Sequence, residues 1–542
     1  MDRAQHSPET PSLESLANAW QDGALSRREL FRRAALLGAG AAAAGGILEA
    51  VAPGRAAAQT TQKRELVVAQ GGDISKLDPH FSTSSNDIRV TFNVFDNLTI
   101  RHPDGKLQPS LATEWKNTGP TTYQFKLRQG VKFHNGDPFT SADAKFSLER
   151  TYDPTVKTMV ATVYNTIIDR IETPDPFTLV IHTKKPDPLL GGRLAFYGGQ
   201  IVPKKYLEQV GGDAFNARPV GTGPVRFGSW TKDDKLVLEA NPDYWGGRID
   251  VDRVVFRPVP ETAPRVAGLL KGELDAITQL TPDHWDRVNG SPTTKGASAL
   301  YAGLYVLGTN SKVPPLNNWT LKKAMQLGVD REALVKEMWR GRGIVPSGPI
   351  AQGDNHFDTT LPPLPYDPKE ARELVKKSGY KGEPIYLETT VGLIANDKPM
   401  SEAIAAMWKD VGINVVVEVI EFSVRAQKNR ERTFKGLWWS DPTSTLRDPD
   451  GMMWRLMSPG GPHDYWRHPE FDELGASARV SLDEKFRAEA YRKMTRLFLE
   501  YNPWIIVIQP YEDYGLQKHV EFTPNPNQAF ELRRFNFRMK RA

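Results

Sequence analysis

The 542-residue sequence contains no cysteine. This absence excludes disulfides, thiolate metal sites, a cysteine nucleophile and a lipid-modified N-terminal cysteine. The ten histidines are scattered, and no two of them have metal-ligand spacing within a predicted helix. The sequence also lacks His-Glu-x-x-His, Gly-x-Ser-x-Gly and the phosphate-binding Gly-x-x-x-x-Gly-Lys-Ser/Thr loop. We therefore expect no enzyme activity, no catalytic residue, no metal and no cofactor.

No block of one charge stands out either. The chain has 70 basic and 65 acidic residues, a net charge of +5, and no basic run interleaved with aromatic residues. A nucleic-acid partner is therefore not expected. With 25% charged and 39% hydrophobic residues, the composition is typical of a soluble globular protein. The length predicts two or three domains.

The N-terminus has the three parts of an export signal. A charged segment with the pair Arg27-Arg28 precedes an Ala/Gly/Leu-rich stretch at 34–48, and Ala56-Ala57-Ala58 follows. That order predicts a cleaved signal over residues 1–58, whereas the apolar stretch is too short and glycine-rich for a membrane anchor. The paired arginines resemble a twin-arginine signal, although Leu30-Phe31 reverses the usual Phe-Leu order. We expect export to the periplasm by that route.

The segment FKGLWWSDPTSTLRDPD, residues 434–450, is the candidate site. If its apolar run is a strand, then Leu437, Trp439 and Asp441 share one face and Trp438 lies on the other. The indole and the carboxylate then lie about 7 Å apart, which suits a small molecule carrying a cation or hydroxyl groups. The alternative is that both tryptophans are core and that Asp441 caps the turn before Pro442.

The pattern of helices and strands after the signal predicts a mixed α/β protein without internal repeats. Asp367-Pro368 predicts a helix start, and Gly379 predicts its end. Ser401 is predicted to cap another helix. The run 413–420 is almost unbroken in β-branched residues and predicts a buried strand, as does 504–508.

Several short segments form a recognisable series along almost the whole chain after the signal. They are YQFKLRQGVKFHNGDPFT (123–140), Asp143, SLER (147–150), GTGP (221–224), NPDYW (241–245), LKGELD (270–275) and DREALV (330–335). In this order they resemble the extracytoplasmic solute-binding proteins of ABC importers, in the peptide/nickel-type family 5. That family includes dipeptide- and oligopeptide-binding proteins.

The resemblance implies an α/β clamshell like the type II periplasmic binding proteins, with three domains. Domain I is expected at 60–100, 220–309 and 506–542, domain II at 101–219, and domain III, the opposing lobe, at 310–505. The resemblance further implies that a peptide or small-molecule ligand binds between domains I and III and that the lobes close by hinge rotation. The expected partners of this monomer are an ABC permease and its separate ATPase subunits.

By the same resemblance, Asp441 is the carboxylate that meets the ammonium group of a bound peptide. The segment expected to line the cleft opposite it comprises Ser82, Thr83, Ser84, Ser85 and Asn86; the alternative for this segment is an ordinary polar loop. The loop after Asp441 is longer than in peptide binders, so Asp448 or Asp450 is an alternative anchor.

Other ligands and another class of function also remain open. Tryptophans 438, 439, 454 and 466 suit stacking on sugar rings, so an oligosaccharide or an opine is an alternative ligand. A periplasmic hydrolase is the alternative from a different class, and it is disfavoured because no catalytic motif is present.

Overall fold

A single strand of 14 residues, Trp504–Gln517, runs through the centre of the largest sheet. The structure is a computed structural model that describes residues 64–82 and 84–540. The predicted export signal, residues 1–58, and the predicted ligand contact Thr83 lie outside the described residues. From Glu65 onward the chain packs as one compact unit. Within the described part, no helix is both long enough and apolar enough to cross a membrane.

The strands of the described residues form sheets of twelve, four, two and two strands. In chain order they are β1 (Glu65–Gln70), β2 (Thr99–Arg101), β3 (Leu107–Pro109), β4 (Ala112–Gly119), β5 (Thr122–Leu127), β6 (Ile168–Asp175), β7 (Thr178–Thr183), β8 (Val225–Thr231), β9 (Lys235–Ala240), β10 (Arg253–Pro258), β11 (Ala276–Ile277), β12 (Thr294–Leu300), β13 (Tyr305–Thr309), β14 (Gly343–Ile344), β15 (Ile385–Thr389), β16 (Val415–Val419), β17 (Leu437–Ser440), β18 (Trp504–Gln517), β19 (Val520–Phe522) and β20 (Phe537–Met539).

The helices alternate with these strands, mostly in the second half of the chain. They are α1 (Ser85–Val94), α2 (Ser141–Tyr152), α3 (Ala161–Tyr164), α4 (Leu190–Arg193), α5 (Lys204–Val210), α6 (Gly212–Ala217), α7 (Thr262–Leu270), α8 (Pro282–Asn289), α9 (Trp319–Leu327), α10 (Arg331–Ala333), which runs into a π-turn (Leu334–Met338), α11 (Pro368–Ser378), α12 (Asp397–Asp410), α13 (Phe422–Glu431), a 3₁₀ turn (Pro449–Gly451), α14 (Met453–Met457), α15 (Pro469–Val480) and α16 (Glu484–Tyr501).

The large sheet has the order β16-β15-β17-β13-β18-β11-β1-β10-β9-β8, and β12 and β14 also pair with β18. The first part of β18 pairs with β13, where Ile506 lies opposite Val306. Its later part pairs with β12, where Gly515 lies opposite Gly296. The strand β18 therefore joins two halves of the sheet. The connection between β12 and β13 passes from one half to the other beside the middle of β18.

Separate groups of buried apolar side chains pack against the two halves of the large sheet and against the four-stranded sheet. One group packs around β1, β9 and β10, a second joins β13, β15 and β17 to α9 and α12, and a third covers β5 and β7. A fourth lies between β13, β18 and helices α14 to α16. This partition supports the mixed α/β clamshell. The three-domain boundaries stay a prediction.

The ends of two helices follow from their local sequence. At α2, Thr140 and Asp143 form a reciprocal capping box. At α11, the Asp367 carboxylate accepts a hydrogen bond of 2.9 Å from the Glu370 N–H. Gly379 ends α11 with a φ of 74°, a left-handed conformation that glycine adopts without strain.

Two local predictions are wrong. Ser401 lies inside α12 rather than capping it, because the helix already begins at Asp397 and the Ser401 hydroxyl donates to the Asp397 carbonyl at 2.8 Å. The run 413–420 forms only the edge strand β16, and Val416 and Val419 are 39% and 56% exposed. An edge strand lacks a neighbour on one side, so a β-branched run does not by itself establish a central position.

Candidate functional site

The candidate site lies on strand β17 and at its C-terminal end. This strand lies between β13, to which it is antiparallel, and β15, to which it is parallel. All four of its residues are buried, and Asp441 follows at once as the chain leaves the sheet. The predicted strand and the position of Asp441 just beyond its end are thus both observed.

The side chains of Leu437 and Trp439 point into one core. Both belong to the group of apolar side chains between the sheet and α12, with exposures of 0% and 1%. The Trp439 indole N–H donates to the Ser401 hydroxyl at 2.7 Å, which satisfies its only polar group. These contacts hold the end of β17 in place.

Trp438 points to the opposite face, as the alternation of strand side chains predicts. Its ring stacks on Phe434 with centroids 4.6 Å apart and planes 5° from parallel, and it also contacts Tyr465. Gly308 lies opposite in β13, where a Cβ atom would come within 2.3 Å of the indole, so only glycine leaves room for this ring. In this conformation Leu437, Trp438 and Trp439 are core residues. Direct ligand contact by these three side chains stays a prediction.

Asp441 lines a cavity of about 470 Å³ where β17 ends. This volume falls in the ordinary range for small-molecule sites. The lining comes from several distant parts of the chain and includes Tyr197, Arg425, Asp441, Thr443, Arg455 and His463.

The Asp441 carboxylate has no ion-pair partner within the described residues. The opposing charge that acts on it is the Arg425 guanidinium, which is itself hydrogen-bonded through Nη2 to the Trp439 carbonyl at 3.1 Å. Burial raises the pKa of Asp441 from 3.8 to about 6, and Arg425 lowers it in part. The carboxylate is therefore a poorly solvated acid in a cavity wall.

Backbone contacts hold the loop after Asp441. Thr443 forms an isolated β-bridge with Gly303, and the Leu304 N–H donates to the Pro442 carbonyl at 3.2 Å. The hydroxyl groups of Tyr301 and Thr443 are also hydrogen-bonded to each other. These contacts tie the acidic loop to the connection between β12 and β13, where the two halves of the sheet meet.

The charge of Asp441 acts on three tyrosine side chains. Burial raises the pKa values of Tyr197, Tyr301 and Tyr305, and the negative charge of Asp441 raises each of them further. Glu512, on β18, adds to the effect on Tyr301 and Tyr305. All three phenols consequently stay neutral at physiological pH.

Asp448 and Asp450, the alternative anchors, both have charged partners. Asp448 binds the Arg487 guanidinium at 2.6 Å. Asp450 binds Arg193 at 2.7 Å, a contact that joins the 3₁₀ turn to α4. Both carboxylates are buried at 1% exposure, so their charges are already compensated inside the protein. This pairing favours Asp441 as the acid left for a ligand.

Ser84 precedes α1, and Ser85 and Asn86 are the first two residues of this helix. The Ser84 N–H donates to the Ser82 hydroxyl at 3.1 Å, and Asn86 accepts a hydrogen bond of 3.1 Å from Arg89. Further along α1, Ile88 and Phe92 pack with Phe196 and Tyr197. Ligand contact by Ser82, Ser84, Ser85 and Asn86 stays a prediction.

Of the residues in this lining, the sequence identified only Asp441 as a ligand contact. The polar residues that it missed include Tyr197, Arg425, Arg455 and His463. Arg425 lies in α13 and Arg455 in α14, and no motif marks either helix. Only their shared proximity to Asp441 in the folded chain reveals them.

Known proteins share this architecture. The family model described as "Bacterial extracellular solute-binding proteins, family 5 Middle" matches residues 106–464. Di/tripeptide-binding protein 2 of Pseudomonas aeruginosa is 26% identical over 514 residues, which cover 88% of this chain and 96% of the relative. Among solved structures, DppA from Helicobacter pylori in complex with peptide STSA has a TM-score of 0.75 at 23% identity and covers 89% of this chain and 99% of its own. AgaA from A. tumefaciens R10, in complex with agropinic acid, has a TM-score of 0.74 at 24% identity, with 88% and 99% covered.

Proposed function

Because the chain belongs to the bacterial extracellular solute-binding proteins of family 5, we propose that it captures a peptide or peptide-like solute bearing a free amino group. The ligand lies in the cavity beside Asp441, which pairs with its ammonium group. The loaded protein delivers the ligand to an ABC permease that is driven by separate ATPase subunits. In this role the protein binds its ligand without catalysing a reaction.

The unpaired carboxylate of Asp441 in the cavity wall carries this proposal. A buried acid without a counter-charge is costly, and a ligand ammonium group removes that cost. Asp448 and Asp450 have no such need, because Arg487 and Arg193 already pair with them. The name of the Pseudomonas relative supports a short peptide as the ligand.

We propose that residues 1–58 direct export to the periplasm by the twin-arginine route and that the mature protein is a monomer. The lobes are domains I and III with the boundaries given above, and β18 with the β12–β13 connection forms the hinge. Closure of the lobes would bury the ligand.

An opine is the second candidate ligand, and the agropinic acid bound to AgaA supports it. An oligosaccharide has less support, because stacking needs an accessible ring face and Trp438, Trp439 and Trp454 are only 1–3% exposed. Saturable quenching of tryptophan fluorescence by sugars but not by peptides would reverse this order.

Calorimetric titration with Ala-Ala and with N-acetyl-Ala-Ala tests the anchor. We expect the acetylated peptide to bind at least tenfold more weakly, and Asp441→Ala to weaken Ala-Ala binding by at least tenfold, about 1.4 kcal/mol. Asp213→Ala, a change of an exposed acid in α6, is the matched control and should leave the affinity unchanged. Unchanged binding by Asp441→Ala would remove Asp441 from the site.

Native mass spectrometry of the protein purified from its own periplasm identifies the class of ligand. A mixture of di- to pentapeptide masses supports a peptide binder. A single mass with an opine formula or hexose increments supports the second candidates.

A further inference from the structure

Two arginines line the same cavity as Asp441. Arg425 enters from α13 and Arg455 from α14, so the two guanidinium groups approach from separate helices. A cavity built only to hold an ammonium group would gain nothing from two cations, because like charges repel. Their presence points to anionic groups on the ligand.

Neither arginine is neutralised by a close carboxylate within the described residues. Each donates one hydrogen bond to a backbone carbonyl, Arg425 to Trp439 and Arg455 to Gly451 at 2.9 Å. The acid that most affects Arg455 is Asp450, and that carboxylate is already bound to Arg193. A backbone carbonyl accepts a hydrogen bond without cancelling the cation, so both charges remain available.

Arg455 is exposed although it lies among buried neighbours. Met453, Trp454 and Leu456, the residues around it in α14, are all buried. Arg455 nevertheless lines the cavity beside Asp441, so its exposed side chain borders that space. Desolvation lowers the pKa of Arg455. An arginine of this kind has donors free to meet a ligand.

The remaining polar groups of the cavity carry no compensating charge. Burial lowers the pKa of His463 to about 3, so its imidazole is neutral at physiological pH. The hydroxyl groups of Tyr197 and Thr443 are neutral as well. The cavity therefore presents one negative charge, on Asp441, and two positive charges, on Arg425 and Arg455.

We propose that the ligand carries one ammonium group and two carboxylates, so that its net charge is −1 and complements the cavity. This inference rests on the proposed function, because Asp441 must take the ammonium group. Arg425 and Arg455 then each receive a carboxylate, and the fork of each guanidinium matches the two carboxylate oxygens. Acidic dipeptides and N-carboxyalkyl amino acids both have this chemistry.

Matched pairs of probes test the charge requirement by calorimetry at pH 7.5. Ala-Glu and Ala-Gln are nearly isosteric and differ in the second carboxylate. N-(1-carboxyethyl)alanine and its monoamide form the corresponding pair for the N-carboxyalkyl amino acids. We expect the dicarboxylate of at least one pair to bind at least tenfold more tightly than its amide. The pair with the larger preference for the dicarboxylate identifies whether the ligand is an acidic dipeptide or an N-carboxyalkyl amino acid.

Variants assign the preference to the arginines. One of the two variants Arg455→Gln and Arg425→Gln should reduce the ratio of Ala-Glu to Ala-Gln affinity to below threefold, because it removes the partner of the side-chain carboxylate. The other should weaken Ala-Glu and Ala-Gln alike by at least tenfold, because both peptides carry the C-terminal carboxylate. Arg430→Gln, which changes an exposed arginine of α13 outside the cavity lining, is the control and should leave the ratio unchanged.

The outcomes separate this inference from the proposed function. Equal binding of dicarboxylate and amide in both pairs, with N-acetylation still abolishing binding, overturns the charge requirement and leaves Asp441 as the ammonium anchor. Equal binding of Ala-Glu and N-acetyl-Ala-Glu overturns the anchor itself. Failure of all four probes to bind overturns both.

Discussion

Asp441 and the pair Asp448 and Asp450 lie in one loop and have opposite electrostatic settings. Asp448 and Asp450 meet arginines at 2.6 and 2.7 Å and are buried. Asp441 lines a cavity without an ion-pair partner in the described part of the chain, and burial raises its pKa to about 6. The same residue type therefore serves two purposes within one loop.

The difference shows how a binding protein divides its acids between structure and ligand. A compensated acid such as Asp448 holds helices together, and losing its partner leaves a buried charge. An uncompensated acid such as Asp441 makes the empty protein less stable, and the ligand supplies the missing charge. Removing the charge of Asp448 should therefore destabilise the protein, whereas removing the charge of Asp441 should stabilise the empty protein and weaken ligand binding.

Loss of the Asp448 carboxylate should have the largest effect. Asp448→Asn leaves the Arg487 guanidinium, which is 1% exposed, with only the exposed Glu484 carboxylate at 3.6 Å. We expect the free energy of unfolding to fall by about 3–5 kcal/mol, measured by urea denaturation. The double variant Asp448→Leu/Arg487→Met removes both charges and should be less destabilised than Asp448→Asn. A double variant that is more destabilised would show that the carboxylate and the guanidinium do not act as a pair.

Asp441→Asn should stabilise the empty protein. The pKa of Asp441 is about 6 in the folded chain against 3.8 as a reference, so ionisation of this group favours unfolding as the pH rises through that interval. At pH 7.5 we expect a gain of about 3 kcal/mol for the asparagine variant, and below pH 4 almost none. Thermal denaturation at both pH values measures it. A loss of stability in Asp441→Asn at pH 7.5 would contradict the conclusion that the ionised Asp441 carboxylate destabilises the empty protein.

Ligand affinity should fall as the pH falls through 6. Only the ionised Asp441 carboxylate pairs with an ammonium group, and about one tenth of it is ionised at pH 5, so Ala-Ala should bind about tenfold more weakly there than at pH 7.5. Arg425, Tyr197, Tyr301 and Tyr305 face this carboxylate and keep their charge state across this range.

Two other titratable groups lie in this region, and only Glu512 needs a control in that experiment. His463 has a pKa of about 3 and stays neutral from pH 5 to 7.5. Glu512 has a pKa raised to about 7 by burial and acts on the same tyrosines, so Glu512→Gln should retain the pH dependence if Asp441 causes it. Asp441→Asn should abolish the dependence. A pH profile that disappears in Glu512→Gln would assign it to the other acid.

The smallest effect should come from Trp439, whose indole N–H is bonded to Ser401. Trp439→Phe removes this buried hydrogen bond and should cost about 1 kcal/mol of stability. Ligand affinity should stay within twofold, because the ring lies in the core rather than in the cavity. A tenfold loss of affinity in calorimetry would instead support the ligand contact predicted from the sequence.

Features governed by neighbouring residues could be predicted from the sequence. The capping box of Thr140 and Asp143, the helix start at Asp367 and the strand before Asp441 depend on spacing within a few residues. The alternating faces of Leu437, Trp438 and Trp439 follow from strand geometry alone. The family motifs, spread along the chain, also predicted the class of fold.

Features governed by distant residues could not be predicted in the same way. The run 413–420 looked like a central strand, but its place in the sheet depends on which strands lie beside it. The environment of both tryptophans depends on partners such as Ser401 and Gly308. Local patterns contain no information about these partners.

The sequence by itself determined a mixed α/β solute-binding fold and a short strand that ends in an acid. The tertiary structure alone decided which acid stays uncompensated, because Arg487 and Arg193 reach Asp448 and Asp450 from other helices. It also brought Arg425 and Arg455 to the cavity beside Asp441. Electrostatic interactions act through space, so the charge of a site is settled only when distant segments pack together.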